Sequence, residues 1–173
     1  GKMNWTNGEV DVLQFGEKRY RTNILKAKDK DVMVITKEDY NTFPDLILTN
    51  TNLTNQVKIS DANPQQSSFN WGNMEMVSWT SLDGIELKGL LLKPDNFDPS
   101  KKYPMIVKFY ERNSDGLYNH RPPSAGRSTI NYPFYASKGY LIFNPDIPYK
   151  TGYPGESAYN AVMPGVTKLM AEG

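Results

Sequence analysis

Tyr103-Pro104-Met105-Ile106-Val107-Lys108-Phe109-Tyr110-Glu111 and, further on, Tyr140-Leu141-Ile142-Phe143-Asn144-Pro145-Asp146 are the two stretches that decide the fold class. Each is a compact apolar run of strand length, and Met105–Tyr110 reads as a buried strand. Ser128–Gly139 lies between them and Val162–Glu172 follows, and both read as helices, with Pro164 in the first turn of the second. Strands that alternate with helices predict an α/β sheet, which carries its reactive groups on loops at the carboxyl ends of the strands. The sequence then ends at Gly173, a helix-terminating residue type. The next strand and its loop are therefore expected to lie outside it.

Working outward, Glu75–Thr80 and Ile85–Lys93 flank Ser81-Leu82-Asp83-Gly84. Asp-Gly between two strand-like runs is a strong short-range hairpin signal. Pro94–Pro99 is a loop leading into the buried strand, and Asp61–Gly72, polar with Pro, Asn and Ser, is the expected linker. Upstream, Val10–Phe15, Asn23–Ala27, Asp31–Thr36, Asp45–Thr49 and Gln56–Ser60 are short β-type runs separated by turn residues. The mixed charges of Lys26–Asp31 read as a solvated turn. Short, evenly spaced strands suit a sandwich or a propeller blade, and a lone blade cannot bury both its faces. The architecture thus changes from all-β to α/β near the linker.

Composition narrows the chemistry. Twenty Lys+Arg against 19 Asp+Glu, with no basic cluster interleaved with aromatics, give no sign of a nucleic-acid surface. The absence of cysteine removes disulfides, thiolate metal sites and thiol catalysis together, and leaves the compartment open. The single His120 rules out a multi-histidine metal cage. No apolar run has membrane-spanning length, and Gly1-Lys2-Met3-Asn4 does not begin a signal peptide. Asn4-Trp5-Thr6 and Asn52-Leu53-Thr54 match the glycosylation acceptor pattern, a short motif that recurs by chance.

Five ordered blocks carry a resemblance. They are Val77–Gly84, Leu90-Leu91-Leu92-Lys93-Pro94, Lys102–Val107, Ala136-Ser137-Lys138-Gly139-Tyr140 with the strand to Asp146, and Gly152-Tyr153-Pro154-Gly155. In this order they resemble the prolyl oligopeptidase family of serine peptidases, particularly its dipeptidyl-peptidase-IV-like members. Phe43-Pro44-Asp45-Leu46 and Lys58-Ile59-Ser60 resemble the last propeller blade of the same family. The resemblance implies a mixed α and β fold. Residues 1–70 would be the end of a β-propeller, and 71–173 the N-terminal part of an α/β-hydrolase domain that stops before the nucleophile elbow. Two departures, Glu111–Gly116 where many members have a Gly- and Pro-rich loop, and Ile147-Pro148-Tyr149 where members often have Arg-Gly-Ser, point to a subfamily variant.

By this resemblance Tyr110, at the end of the buried strand, supplies a hydroxyl to the oxyanion hole, where a preorganised donor strengthens as charge develops. Its plain reading is a strand-end aromatic covering the edge of the core. Gly155-Glu156-Ser157-Ala158-Tyr159 begins like a nucleophile elbow but lacks the second glycine and a preceding apolar strand, so Ser157 reads as a helix-entry serine. His120, Asp146 and Ser157 run in the wrong order for an α/β-hydrolase triad. His120 reads as solvent-exposed, Asp146 as a strand end that fixes the loop following it, and Phe134-Tyr135 as helix-to-sheet packing.

The resemblance therefore implies a serine peptidase that hydrolyses short peptides through an acyl-enzyme, needs no cofactor or metal, and carries its triad outside these residues. A different reading is a stand-alone β-rich binding module without catalysis, which self-associates through its uncovered sheet edge.

Overall fold

The computed structural model describes residues 1–124 and 130–172. The chain divides into two compact units, Gly1–Pro64 with Tyr118–His120, and Gln65–Leu117 with Arg121–Gly173.

The first unit is antiparallel β structure. Strands β1 (Lys2–Met3) and β2 (Val10–Asp11) form a small ribbon. Strands β3 (Arg19–Tyr20), β4 (Leu25–Lys26), β5 (Met33–Glu38), β6 (Asp45–Thr49) and β7 (Val57–Lys58) form a sheet in the order β3-β5-β6-β7, with β4 also on β5. Because β6 takes one edge of β5, β3 and β4 share the other and act as one interrupted strand. The result is four antiparallel rows, the number in a propeller blade. Strand β6 shows clean alternation, with Asp45, Ile47 and Thr49 buried and Leu46 and Leu48 turned out. Leu25, Val34, Leu48 and Val57 are cross-strand partners in a row over the sheet, and Leu25, Leu48 and Val57 are exposed.

The buried carboxylates of this unit, Glu38 and Asp45, are paired. The fully buried carboxylate of Glu38 accepts from Arg21 Nε at 2.9 Å and Nη2 at 2.6 Å, and from Arg19 Nη1 at 3.3 Å. Such a forked guanidinium pair is what makes a buried carboxylate tolerable. The expected turn at Lys26–Asp31 is solvated, and Asp31 accepts from the Thr51 amide and hydroxyl at 2.9 and 2.7 Å. The strand expected over Val10–Phe15 covers only Val10–Asp11, because β1 offers just two residues to pair with.

The second unit is a four-stranded mixed sheet, order β10-β11-β9-β8, between two helices. Strands β8 (Asn73–Thr80) and β9 (Glu86–Lys93) form the expected hairpin, in register from Asn73↔Lys93 to Thr80↔Glu86. Its turn depends on Gly84, whose φ of +76° is strained for other residues. Strand β10 (Met105–Val107) runs parallel to β11 (Leu141–Pro145), and β11 pairs antiparallel with β9. Helix α1 (Tyr132–Ser137) packs on β11 and β9, and α2 (Pro154–Ala171) packs on β8 and β11.

Alternation divides the sheet residues between the faces. Trp79, Leu87, Leu91, Phe143 and Ile147 pack with Ala161 and Val162 of α2. Their neighbours Leu90, Leu92, Ile142 and Asn144 turn to the α1 face, where Asn144 Nδ2 donates to Tyr132 Oη at 2.7 Å. Burial on both faces explains why β9 and β11 read as continuous apolar runs.

Three expectations are corrected. Regular pairing on Tyr103–Glu111 covers only Met105–Val107. The helix expected over Ser128–Gly139 spans Tyr132–Ser137, capped by the Asn131 side chain; Ser128 and Thr129 lie outside the described residues. Its buried positions are Tyr132, Pro133 and Ala136, while Phe134 is exposed, because it lies on the side of the helix turned away from these three.

The last helix starts at Pro154 and not at Val162, so Pro164 sits inside it and not in its first turn. A proline there cannot donate to the carbonyl four residues back. That carbonyl, Asn160 O, instead accepts from Leu82 N in the hairpin turn at 3.0 Å. Around it, Trp79 Nε1 donates to Ala161 O at 2.8 Å, Asn160 Nδ2 to Asp83 Oδ1 at 3.0 Å and Lys168 Nζ to Ser78 O at 2.7 Å. The group that proline leaves free becomes the point where helix and hairpin join.

Close approach of α2 to the sheet rests on Gly165. A Cβ there would stand 2.9 Å from both Phe143 Cζ and Trp79 Cε2. Helix propensity favours alanine by about 1 kcal/mol, but overpacking a core costs about 1–3 kcal/mol. Gly165→Ala is therefore expected to destabilise the second unit by up to about 2 kcal/mol net, read from chemical denaturation; a stabilised variant would show that the helix shifts freely.

Candidate functional site

The carboxyl ends of the parallel strands β10 and β11 lie side by side, the position where open α/β sheets bind ligands. Tyr110 follows β10 there, with 75% of its surface exposed, so its hydroxyl is not used in the core. Backbone bonds hold both chain ends past the regular strands: Lys108 N donates to Phe143 O at 2.9 Å and Ile147 N to Glu111 O at 3.1 Å.

Asp146, the residue after β11, holds the turn that follows Tyr110. Its carboxylate accepts from the amides of Asn113 and Ser114, the latter at 2.9 Å, and from the Ser114 hydroxyl. Ser114–Gly116 forms a short 3-10 turn, with Ser114 buried. The expectation for Asp146 is corrected: its carboxylate bonds the loop after Tyr110 and not the one that follows its own strand, because parallel pairing of β10 and β11 sets their carboxyl ends side by side. Sequence reading missed Asn113 and Ser114 as its partners. Asn-Ser-Asp-Gly is recognisable turn chemistry, but nothing local names an acceptor more than thirty residues away.

The remaining sequence candidates have other work. Ser157 is 4% exposed in the first turn of α2; its Oγ accepts from Lys150 N at 3.0 Å and donates to Tyr153 O at 2.8 Å. A hydroxyl so engaged is a capping group and not a poised nucleophile. His120 corrects the expectation of a solvent-exposed ring: it is 7% exposed within the first unit. Its Nδ1 donates to the Tyr40 carbonyl at 3.2 Å, and its ring meets Phe43 edge-on at 5.3 Å. A polar loop sequence hid this, because the apolar partners lie far back in the chain.

No group of His, Asp and Glu among the described residues could hold a metal ion, and no helix among them is long and apolar enough to cross a membrane. A groove of about 210 Å³ lined by Lys102, Tyr103, Met105, Leu141, Leu169 and Met170 lies at the amino ends of β10 and β11, away from Tyr110.

Two measurements follow. Asp146→Ala should speed hydrogen exchange at the Asn113 and Ser114 amides and cost about 1–3 kcal/mol; unchanged exchange would mean the turn stands without the carboxylate. Burial pushes the His120 pKa below its ordinary value of 6.5. The unfolded chain then binds the proton more readily, so the histidine's contribution is complete above 6.5 and is lost as pH falls. Stability of the first unit should decline between about pH 7 and pH 5, and His120→Gln should flatten that part of the profile. Carboxylates such as Asp31, held low by its hydrogen bonds from Thr51, titrate in a separate, more acidic window.

No family profile matches the sequence, and no curated protein matches it. Solved structures do. An acylaminoacyl peptidase from Pyrococcus horikoshii aligns with 95% of this chain and 26% of its own, at a TM-score of 0.63 and 19% identity. A structure from a study of two prolyl endopeptidases aligns with 97% of this chain and 25% of its own, at 0.61 and 12%. Porphyromonas gingivalis dipeptidyl peptidase 4 aligns with 82% and 20%, at 0.53 and 16%. The chain spans about a quarter of the length of the first of these structures. At these identities the likeness is one of fold: the chain shares a mixed α and β fold with segments of these peptidases.

Proposed function

We propose that this chain is part of a serine peptidase that hydrolyses short peptides through an acyl-enzyme. Residues 1–70 would form the end of its propeller and 71–173 the first part of its hydrolase domain. The observation that carries the reading is the exposed Tyr110 just past β10, backed by a turn that Asp146 holds. A hydroxyl carried on the chain just before a braced turn and open to solvent suits an oxyanion donor, which a substrate carbonyl must be able to reach. The exposed row Leu25, Leu48 and Val57 supports the propeller part, since a blade covers such a face with its neighbours.

In this reading Tyr110 is the segment's one catalytic residue. Ser157, His120 and Asp146 are occupied structurally, and nucleophile, base and orienting acid come from the rest of the enzyme. Peptide is the substrate, and no metal or organic cofactor takes part.

The test uses the full reading frame. Tyr110→Phe should lower kcat toward a peptide anilide by roughly 10²–10³-fold with little change in KM, the usual effect of losing one oxyanion donor. A serine-directed fluorophosphonate should label the full enzyme and leave the 173-residue chain unlabelled. Labelling of the chain that disappears in Ser157→Ala would overturn the assignment.

A further inference from the structure

Two cations share one aromatic ring in the second unit, and no anion accompanies them. Lys108 Nζ lies 5.5 Å from the centroid of the Tyr132 ring, and the Arg121 guanidinium carbon 4.6 Å. Val107 packs with the α2-side core, so alternation turns Lys108 to the α1 face, where Tyr132 and Asn144 are buried. Both cations are half-buried, and Arg121 Nε is a buried donor with no acceptor among the described residues. Every Asp and Glu of the sequence is described, and none stands within 4.0 Å of either cation.

Tyr132 is not the missing counter-ion. Burial pushes its phenol pKa up, so the proton stays on. Asn144 Nδ2 donates to Tyr132 Oη at 2.7 Å, which leaves the phenol's own proton directed elsewhere. Burial, and then the charge of Arg121, hold the Lys108 ammonium below its ordinary range. Folding two like charges against one ring costs free energy that an anion between them would recover.

We propose that Lys108, Arg121 and the Tyr132 hydroxyl form a binding site for a carboxylate carried by a short peptide or a similar small acid. The planar guanidinium fork matches the planar carboxylate. On the same face Asn144 Oδ1 is a buried acceptor with no donor bonded to it among the described residues. It suits a ligand that brings an N–H beside its carboxylate, as a peptide does, and disfavours a phosphate monoester dianion, whose phosphate oxygens only accept. The site is at the same end of the sheet as Tyr110 and stands whether or not Tyr110 is catalytic.

The probe is N-acetylglycine, added at constant ionic strength to the isotope-labelled chain while the arginine Nε–H signals are followed by NMR. A saturable shift of the Arg121 signal is expected, and none with N-acetylglycinamide, which lacks the carboxylate. Lys108→Gln should weaken binding roughly tenfold or more, as loss of a charged partner does. Tyr132→Phe, which keeps the ring, should weaken it severalfold and serves if Lys108→Gln does not fold. No saturable shift, an equal response to the amide, undiminished binding in both variants, or methyl phosphate binding as tightly as N-acetylglycine would each overturn the proposal.

Discussion

The second unit depends on α2 lying close enough to the sheet for Trp79 and Phe143 to touch its backbone. Gly165 permits the approach, and the Trp79 indole fixes it by donating to Ala161 O. Trp79 and Phe143 meet edge-to-face at 5.2 Å, so the helix rests on an aromatic pair contributed by β8 and β11. Shifting the helix outward would open a void beneath it and break the indole bond together. With α2 seated, β11 is covered on that face, and β10 can add alongside it in parallel.

From this packing the candidate site follows by chain geometry. Strand β11 ends at Pro145, the next residue presents its carboxylate, and the adjacent β10 has just released its chain into a turn. Three donors from that turn converge on Asp146. Tyr110 is left outside this network and its side chain faces solvent. The division is a useful one, since the part that must stay put is buried and bonded while the part that could meet a substrate is accessible.

Much of this was legible in the sequence where the cause is local. Asp83-Gly84 announced the hairpin, and the apolar runs around Met105 and Ile142 announced strands, of which β11 is buried and β10 half-buried. What stayed hidden has its cause elsewhere in the chain. Pro164 looked like a helix start because prolines usually begin helices; the donor that lets it sit inside one is Leu82 N, in a different element. His120 looked exposed because its neighbours in sequence are polar, while its neighbours in space are Tyr40 and Phe43. Tyr110 was found through likeness to a family, and the carboxylate that braces its loop became visible only in three dimensions.

The bond from Leu82 to Asn160 also bears on how the unit assembles. Helix α2 alone has an acceptor in its middle that its own backbone cannot satisfy, and water must hold it until the β8–β9 turn arrives. The hairpin is a local structure, closed by a short turn, whereas its meeting with α2 spans most of the unit. The helix therefore gains its full complement of hydrogen bonds only after the correct hairpin has docked. Pro164 makes completion of the helix conditional on the sheet, and so ties secondary structure to tertiary order at that one carbonyl.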